Sequence, residues 1–170
     1  MSESDWYKSI DTETALSRDE IHELLPHRGD MSFLNRVTLN EQGGIGEVVL
    51  DESAFWVPGH FPKQENNEGA FAIGPIFPGV LMVESSAQLG IVCWRHLLGV
   101  ERTAGKTMLF KTIEKANFKK EARPGDRVLI RSVVDKYSIR LMRCSFEGVV
   151  LREGAEPETC FSCNIAGLSV

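Results

Sequence analysis

The stretch from Pro78 to Leu98, PGVLMVESSAQLGIVCWRHLL, constrains the fold of this chain more than any other segment. Proline and glycine at its start, and Gly99 after its end, are typical helix boundaries. Its apolar residues surround the helical axis and do not form a single stripe, so other structure must enclose the helix. The sequence therefore predicts one long buried helix that begins near Pro78 or Gly79.

Strand-like segments on both sides of this helix supply the structure that would enclose it. Ser17 and Glu20 have capping-box spacing, which predicts a short first helix that ends before Pro26. One enclosed helix and several strands joined by short turns predict an α+β fold, with a curved antiparallel sheet wrapped around the helix. The predicted strands cover residues 31–40, 45–50, 107–118, 127–137, 140–151 and 158–168.

Length and charge limit the kinds of protein that this chain can be. Its 170 residues, 42% of them hydrophobic, predict a single domain spanning 1–170 with its core at about 21–168. The formal charge of -5 argues against nucleic acid or an anionic membrane as the main partner. A local basic group is either a docking patch for an acidic partner or, as the sequence alone favours, a solvated strand and turn. Its members are Lys111, Lys115, Lys119, Lys120, Arg123 and Arg127.

The N-terminal segment and the polar residues of the long helix bear on the location of the protein. The segment MSESDWYKSIDTE lacks the basic start and the apolar run of an export signal. The long helix carries Glu84, Gln88, Arg95 and His96, which makes it a poor membrane span. We therefore expect a cytoplasmic protein that does not associate with a membrane.

The four cysteines raise the question of a metal site or a disulfide. Cys160 and Cys163 form a C-x-x-C pair, but no second pair follows at ligand spacing. They lie in a predicted strand, where residues three apart point to opposite faces of a sheet. Because no other group of His, Cys and carboxylates has metal-ligand spacing, we expect reduced, partly buried thiols and no metal.

Glu84 is the sole carboxylate between Gly74 and Trp94, within the most apolar part of the chain. A buried charge without a partner is costly, so a carboxyl group at such a position suggests a function. His60, in the turn PGHFP, is a candidate partner for acid and base chemistry. The simpler interpretations also stand, because His60 could be a structural hydrogen-bonding group and Glu84 could satisfy buried backbone or cross a subunit interface.

Two further residues of the helix suit chemistry at a carbonyl group. Gln88 lies four residues after Glu84 on the same helical face and can hold the carboxyl group by a hydrogen bond. Gly79 lies at the helix start, where unpaired N–H groups favour a developing oxyanion and a missing side chain allows close approach. An acid, a base and a polarised carbonyl are what elimination of water from a 3-hydroxyacyl thioester requires.

Three segments in this order, LLPHRGDMSFLNRV, PGHFP and PIFPGVLMVESSAQLG, resemble the FabZ-type 3-hydroxyacyl-[acyl-carrier-protein] dehydratases. The later segment NFKKEARPGDRV is similar to the strand, turn and strand that follow the helix in that family. The resemblance covers about Ile21 to Cys163. It implies a hot-dog fold, a homodimer with further assembly into a trimer of dimers, and acyl carrier protein as the partner that presents the substrate.

The resemblance also implies roles for individual residues. His60 of one subunit would be the catalytic base and would face Glu84, the acid, of the other subunit. The Gly79 N–H would polarise the thioester carbonyl, and Gln88 would support Glu84. A glutamate at position 84 is similar to the dehydratase-only branch, since FabA-type dehydratase/isomerases typically carry aspartate there. The expected substrate-binding residues are Gly79, Gln88, Phe61 and Val80.

The function that the resemblance implies is dehydration of (3R)-hydroxyacyl-[acyl-carrier-protein] to the trans-2-enoyl product, without a cofactor of the chain's own. Two alternatives are a hot-dog acyl thioesterase and a non-catalytic module that binds acyl thioesters. The paired motifs around His60 and Glu84 argue against both. His27, in the segment LPHR, is interpreted here as structural.

The chain departs from the family pattern at residues 63–74, which lengthen the connection between the histidine turn and the long helix. This insertion would either cover the mouth of the acyl tunnel or alter the partner surface, or it is a tolerated surface loop. If a carrier protein docks, Lys119, Lys120 and Arg123 are candidate contacts for its acidic surface.

Overall fold

The computed structural model describes residues 3–10, 15–62 and 73–170. A six-stranded antiparallel sheet, in the order β1-β2-β4-β5-β6-β3, packs around one long helix, as predicted. The strands are β1 Arg36–Asn40, β2 Gly43–Val49, β3 Met108–Phe118, β4 Arg127–Tyr137, β5 Leu141–Leu151 and β6 Glu158–Ser169. The helices are α1 Arg18–Leu24 and α2 Gly79–Leu98, with short 3-10 helices at Glu3–Ile10, Gly29–Met31 and Glu101–Thr103.

Helix α2 is the buried centre of the fold. Pro78 precedes it with a φ of -58°, close to the helical value that the proline ring imposes. Gly99 ends it with a φ of +88°, in the left-handed region that glycine adopts at little cost. Trp94 is fully buried, and its indole N–H donates to Ser138 O at 2.8 Å. The helix packs mainly on β2 and β4. Among the described helices, none is both long enough and apolar enough to cross a bilayer.

The segment before β1 differs from the sequence prediction. The capping box at Ser17 and Glu20 is formed, and α1 ends at Leu24 as expected. The predicted strand at 31–40 was wrong in its first half, because β1 begins only at Arg36. The physical reason is that the Gln88 side chain takes up backbone groups of residues 31 and 33, which therefore form no strand ladder.

All four cysteines are free, buried thiols. The prediction that Cys160 and Cys163 face opposite sides of the sheet was wrong, since both lie in the core. Thr159 pairs with Val149 and Phe161 pairs with Gly148, so Cys160 is an extra residue in β6, a bulge that breaks the alternation. Burial raises the pKa of Cys160 to about 12, which keeps this thiol protonated.

A 3-10 helix that the sequence analysis did not anticipate covers the outer face of the sheet. The side chains of Trp6 and Ile10 are buried there against Ile45, Leu129 and Val149. These three strand residues alternate with neighbours that face α2, as period-two strands require. The apolar outer face is therefore covered by the chain itself where this helix packs, mainly over β1, β2 and β4.

Strand β3 forms one edge of the sheet and pairs with β6 alone. Nearly all of its residues are exposed, including large apolar ones. An exposed apolar edge strand tends to pair with a strand of another molecule, and natural proteins usually protect or cover such an edge. The exposed apolar residues of β3 are Leu109, Phe110, Ile113 and Phe118.

Candidate active site

Glu84 lies in the second turn of α2, and its side chain is 19% exposed. Gln88, one turn later, donates from Nε2 to Glu84 Oε1 at 2.9 Å. Residues four apart on a helix lie on one face, which is why this pair can meet. The carboxyl group is thus tied to the helix that carries it.

The orientation of the Gln88 amide is fixed by backbone groups on both sides. Its Oε1 accepts from Phe33 N at 3.1 Å, and its Nε2 donates to Met31 O at 2.8 Å. Because a backbone N–H can only donate and a carbonyl can only accept, the amide cannot be reversed. Gln88 is fully buried. The Glu84 oxygen beside it must therefore be a hydrogen-bond acceptor.

His27 is a site residue that the sequence analysis missed. Its Nε2 lies 3.3 Å from Glu84 Oε1, the same oxygen that Gln88 contacts. No spacing in the sequence indicates this contact, since His27 follows α1 and Glu84 lies far along the chain. The one available signal was its place in the segment LPHR, which we interpreted as structural.

Glu84 and His27 line a cavity of about 150 Å³. The rest of its wall is mainly apolar and comes from α2 and from strands β3, β5 and β6, with β3 at the open edge of the sheet. We call this space the Glu84 cavity. Its remaining lining residues include Ala87, Ile91, Met108, Phe110, Met142 and Ile165.

His60 is held by a backbone carbonyl that shortly precedes α2. Its Nδ1 lies 2.8 Å from Ile76 O, and because a carbonyl only accepts, Nδ1 carries the proton. In the neutral ring Nε2 is then the unprotonated nitrogen. Phe61 packs edge-on against the ring with centroids 4.7 Å apart, and its φ of +61° is a strained conformation for a residue with a side chain.

Gly79 is the first residue of α2, so its N–H lacks a partner within the helix. A Cβ at this position would lie only 2.8 Å from the Phe118 ring. Gly79 and Val80 line a second cavity, of about 470 Å³, together with Phe118 and Lys119. We call this the Gly79 cavity. Val80 is 74% exposed there.

The predicted catalytic pair does not meet within one chain. Over residues 15–62 and 73–170, no hydrogen bond or ion pair joins His60 to Glu84. His60 is tied to the residues just before Gly79, whereas Glu84 faces the other cavity. Also within these ranges, no group of three or more His, Cys, Asp or Glu side chains is arranged to hold a metal ion.

A family model described as the FabA-like domain matches residues 25–155. The chain belongs to the FabA-like family. The FabZ 3-hydroxyacyl-[acyl-carrier-protein] dehydratase of Macrococcus caseolyticus is 37% identical over 122 residues, covering 69% of this chain and 74% of that protein. The enzyme of the same name from Caldanaerobacter subterraneus is 35% identical over 138 residues, covering 79% and 86%. The resemblance that the motifs indicated is confirmed.

Solved structures share the fold of this FabA-like protein at low sequence identity. A dehydratase heterocomplex from Xenorhabdus doucetiae superposes with a TM-score of 0.60 at 18% identity, covering 88% of this chain and 90% of that one. A thioesterase from Haemophilus influenzae gives 0.54 at 14% identity, covering 91% of each. The predicted α+β hot-dog fold is confirmed. At 14–18% identity these neighbours show the fold alone.

Proposed function

We propose that this protein is a hydro-lyase that removes water from (3R)-hydroxyacyl-[acyl-carrier-protein] and gives the trans-2-enoyl thioester. The observation that carries the proposal is the carboxyl group of Glu84, held by a hydrogen bond from Gln88 in the wall of a mainly apolar cavity. The relatives described above are named dehydratases, and their alignments cover most of this chain. An apolar cavity of this kind suits an acyl chain.

His60 would serve as the base. Its Nδ1 proton is committed to Ile76 O, so the lone pair of Nε2 is available to take a proton from C2 of the substrate. The C2–H bond breaks as its electrons form the double bond to C3. The negative charge that develops on the thioester oxygen would be stabilised by the Gly79 N–H at the positive end of the α2 dipole.

Glu84 would serve as the acid. Its Oε1 accepts a hydrogen bond from Gln88, which leaves Oε2 to carry the proton that passes to the departing 3-hydroxyl group. The C3–O bond breaks and water leaves. Afterwards His60 holds one extra proton and Glu84 lacks one, so a proton exchange with solvent restores both groups. Phe61 and Val80, beside His60 and Gly79, would contact the substrate near its thioester.

We propose that two chains complete each site. Within one chain, His60 is bonded to Ile76, which lines the Gly79 cavity, whereas Glu84 lines the Glu84 cavity. The apolar edge strand β3 contributes to both cavities, through Phe110 and Phe118. Pairing of two β3 edges about a two-fold axis would cover this surface and could join the two half-sites. A trimer of such dimers stays a prediction.

Acyl carrier protein is the proposed partner, and its phosphopantetheine arm would bring the substrate, so the chain needs no cofactor of its own. Lys119 lines the Gly79 cavity and is exposed, which suits a contact with an acidic carrier surface. The other two candidates are partly neutralised within the chain, since Lys120 pairs with Glu158 and Arg123 pairs with Glu121. Lys119 is therefore the strongest candidate.

Two further expectations stay predictions. The cytoplasmic location and the single domain over 1–170 are supported by the sequence alone. Residues 63–72, most of the insertion at 63–74, lie outside the described residues. At its end, Ile73 O accepts a hydrogen bond from Arg123, in the basic group near the Gly79 cavity.

The activity test uses purified protein with 3-hydroxyacyl thioesters on acyl carrier protein. We expect enoyl product, measured by mass spectrometry, and a loss of kcat of about 100-fold or more in each of His60→Ala and Glu84→Gln. His96→Ala, an exposed histidine of the last turn of α2, is the matched control and should keep full activity. Release of free thiol without enoyl product would indicate a thioesterase, and undiminished turnover by both variants would reject the assigned roles.

A further inference from the structure

The imidazole of His27 contacts the proposed catalytic acid directly, and nothing in the reaction outlined above uses it. Its Nε2 lies 3.3 Å from Glu84 Oε1. Its other nitrogen, Nδ1, is buried and has no hydrogen-bond partner among the described residues. One nitrogen therefore faces a carboxyl group and the other faces the protein interior.

This asymmetry favours one tautomer of the neutral ring. A buried N–H without a partner is rarer and more costly than a buried lone pair without one. The Nδ1 atom of His27 is therefore best left without a proton. The neutral ring then carries its proton on Nε2, where it can donate to Glu84 Oε1.

The loop that carries His27 does not depend on the His27 ring for its shape. The guanidinium of Arg28 donates to three backbone carbonyls around it, those of Leu25 at 2.6 Å, His27 at 2.7 Å and His22 at 2.7 Å. These bonds tie the loop to the end of α1. Arg28 therefore already stabilises the shape of this loop. The His27 side chain instead lines the Glu84 cavity.

We propose that His27 is a positioning residue for Glu84, a role that rests on Glu84 being the acid. His27 Nε2 lies 3.3 Å from Oε1, the oxygen that accepts the Gln88 hydrogen bond, so both nitrogen groups contact the same oxygen. Oε2 is then the oxygen that keeps the transferable proton and faces the substrate. A carboxyl group held at one oxygen by two donors cannot rotate to exchange its two oxygens, which fixes the direction of proton delivery.

The kinetic test compares two substitutions at position 27. His27→Leu removes the donor at similar size, and we expect kcat to fall about tenfold or more while KM stays within about twofold. His27→Gln places an amide N–H near the position of Nε2, and most of the lost kcat should return. His96→Leu, at an exposed position, is the control for the substitution itself. Wild-type kcat in His27→Leu, or no recovery in His27→Gln, would overturn the proposal.

Two further measurements separate this proposal from the one on which it rests. In a double-mutant cycle, His27→Leu should cost nothing more in a Glu84→Gln background, because His27 acts through Glu84. If Glu84→Gln itself is fully active, the role of Glu84 fails; if it is inactive and His27→Leu is active, only the role of His27 fails. Nitrogen-15 NMR of labelled histidine should find the proton of neutral His27 on Nε2, and finding it on Nδ1 would reject the geometry.

Discussion

At the scale of single residues, the two imidazoles of this site are held in opposite tautomers. The ring of His60 donates a hydrogen bond from Nδ1–H to Ile76 O, which leaves a lone pair on Nε2. The ring of His27 faces Glu84 through Nε2 and has an unpartnered Nδ1. The Nε2 atom of His60 can therefore accept a proton, and the Nε2–H of His27 can donate a hydrogen bond. The backbone and the burial of each ring set this difference, which residue type alone does not reveal.

Gly79 offers a test at the same scale. In Gly79→Ala the added methyl group would lie 2.8 Å from the Phe118 ring, which must move. Phe118 is 53% exposed and can yield, and alanine is the better helix former, so we expect no loss in melting temperature. The methyl group would nonetheless hold the substrate carbonyl away from the Gly79 N–H, and kcat/KM should fall by about 10-fold to 100-fold. Unchanged kcat/KM would show that no carbonyl group approaches this residue.

The sequence indicated candidate residues where a polar group lies among apolar neighbours. A lone carboxylate in an apolar helix indicated Glu84, and the predicted hydrogen bond from Gln88, four residues later, is present. It failed for His27, because a contact between distant parts of the chain depends on how α1 and α2 pack. Local spacing carries no information about such a contact.

At the scale of secondary-structure elements, one side chain joins α2 to the segment before β1. Gln88 bonds to backbone groups of Met31 and Phe33 as well as to Glu84. These bonds hold the helix and the segment in a fixed relative position beside Glu84. The same bonds explain why residues 31–35 do not extend β1, although their composition favoured a strand.

Replacing Gln88 should therefore weaken both the fold and the site. In Gln88→Leu, the buried N–H of Phe33 and the partly buried C=O of Met31 lose their partners, at about 1–3 kcal/mol for a fully buried group. We expect the free energy of unfolding, measured by urea titration, to drop by about 2–5 kcal/mol. Gln42→Leu, on the exposed turn between β1 and β2, should stay within about 0.5 kcal/mol of the wild type. Equal stability of the two variants would contradict this account.

The elements themselves were mostly predictable, since their signals are local. Proline and glycine marked the ends of α2, and the capping box marked α1. The bulge at Cys160 was not predictable, because it is defined by the register of β6 against β5 and not by the residues of β6. The 3-10 helix at the N-terminus was missed because its anchors are only two apolar side chains in a polar segment.

At the scale of the whole molecule, the two edges of the sheet differ. At the β1 edge, Leu16 forms an antiparallel β-bridge with Val37 and so covers part of that strand. Strand β3 presents apolar side chains along a long exposed edge. The proposed site also needs groups from two chains, because His60 and Glu84 do not meet in one. Both observations favour association through β3.

A charged side chain on the β3 edge should separate the two chains and, as a result, abolish dehydratase activity. We expect Ile113→Lys, at a residue 51% exposed on β3, to sediment as a monomer and to lose most of its dehydratase activity. Val49→Lys, at a residue 47% exposed on β2, is the matched control and should keep both the dimer and the activity. An active monomer in Ile113→Lys would show that one chain suffices for the reaction.

The cover over the outer face of the sheet has a consequence for how copies can assemble. Trp6 and Ile10 already occupy that apolar surface, and the guanidinium of Arg131 lies 5.4 Å from the Trp6 ring centroid. A second sheet could pack on this part of the outer face only after displacing the N-terminal helix. Association through the β3 edge needs no such displacement.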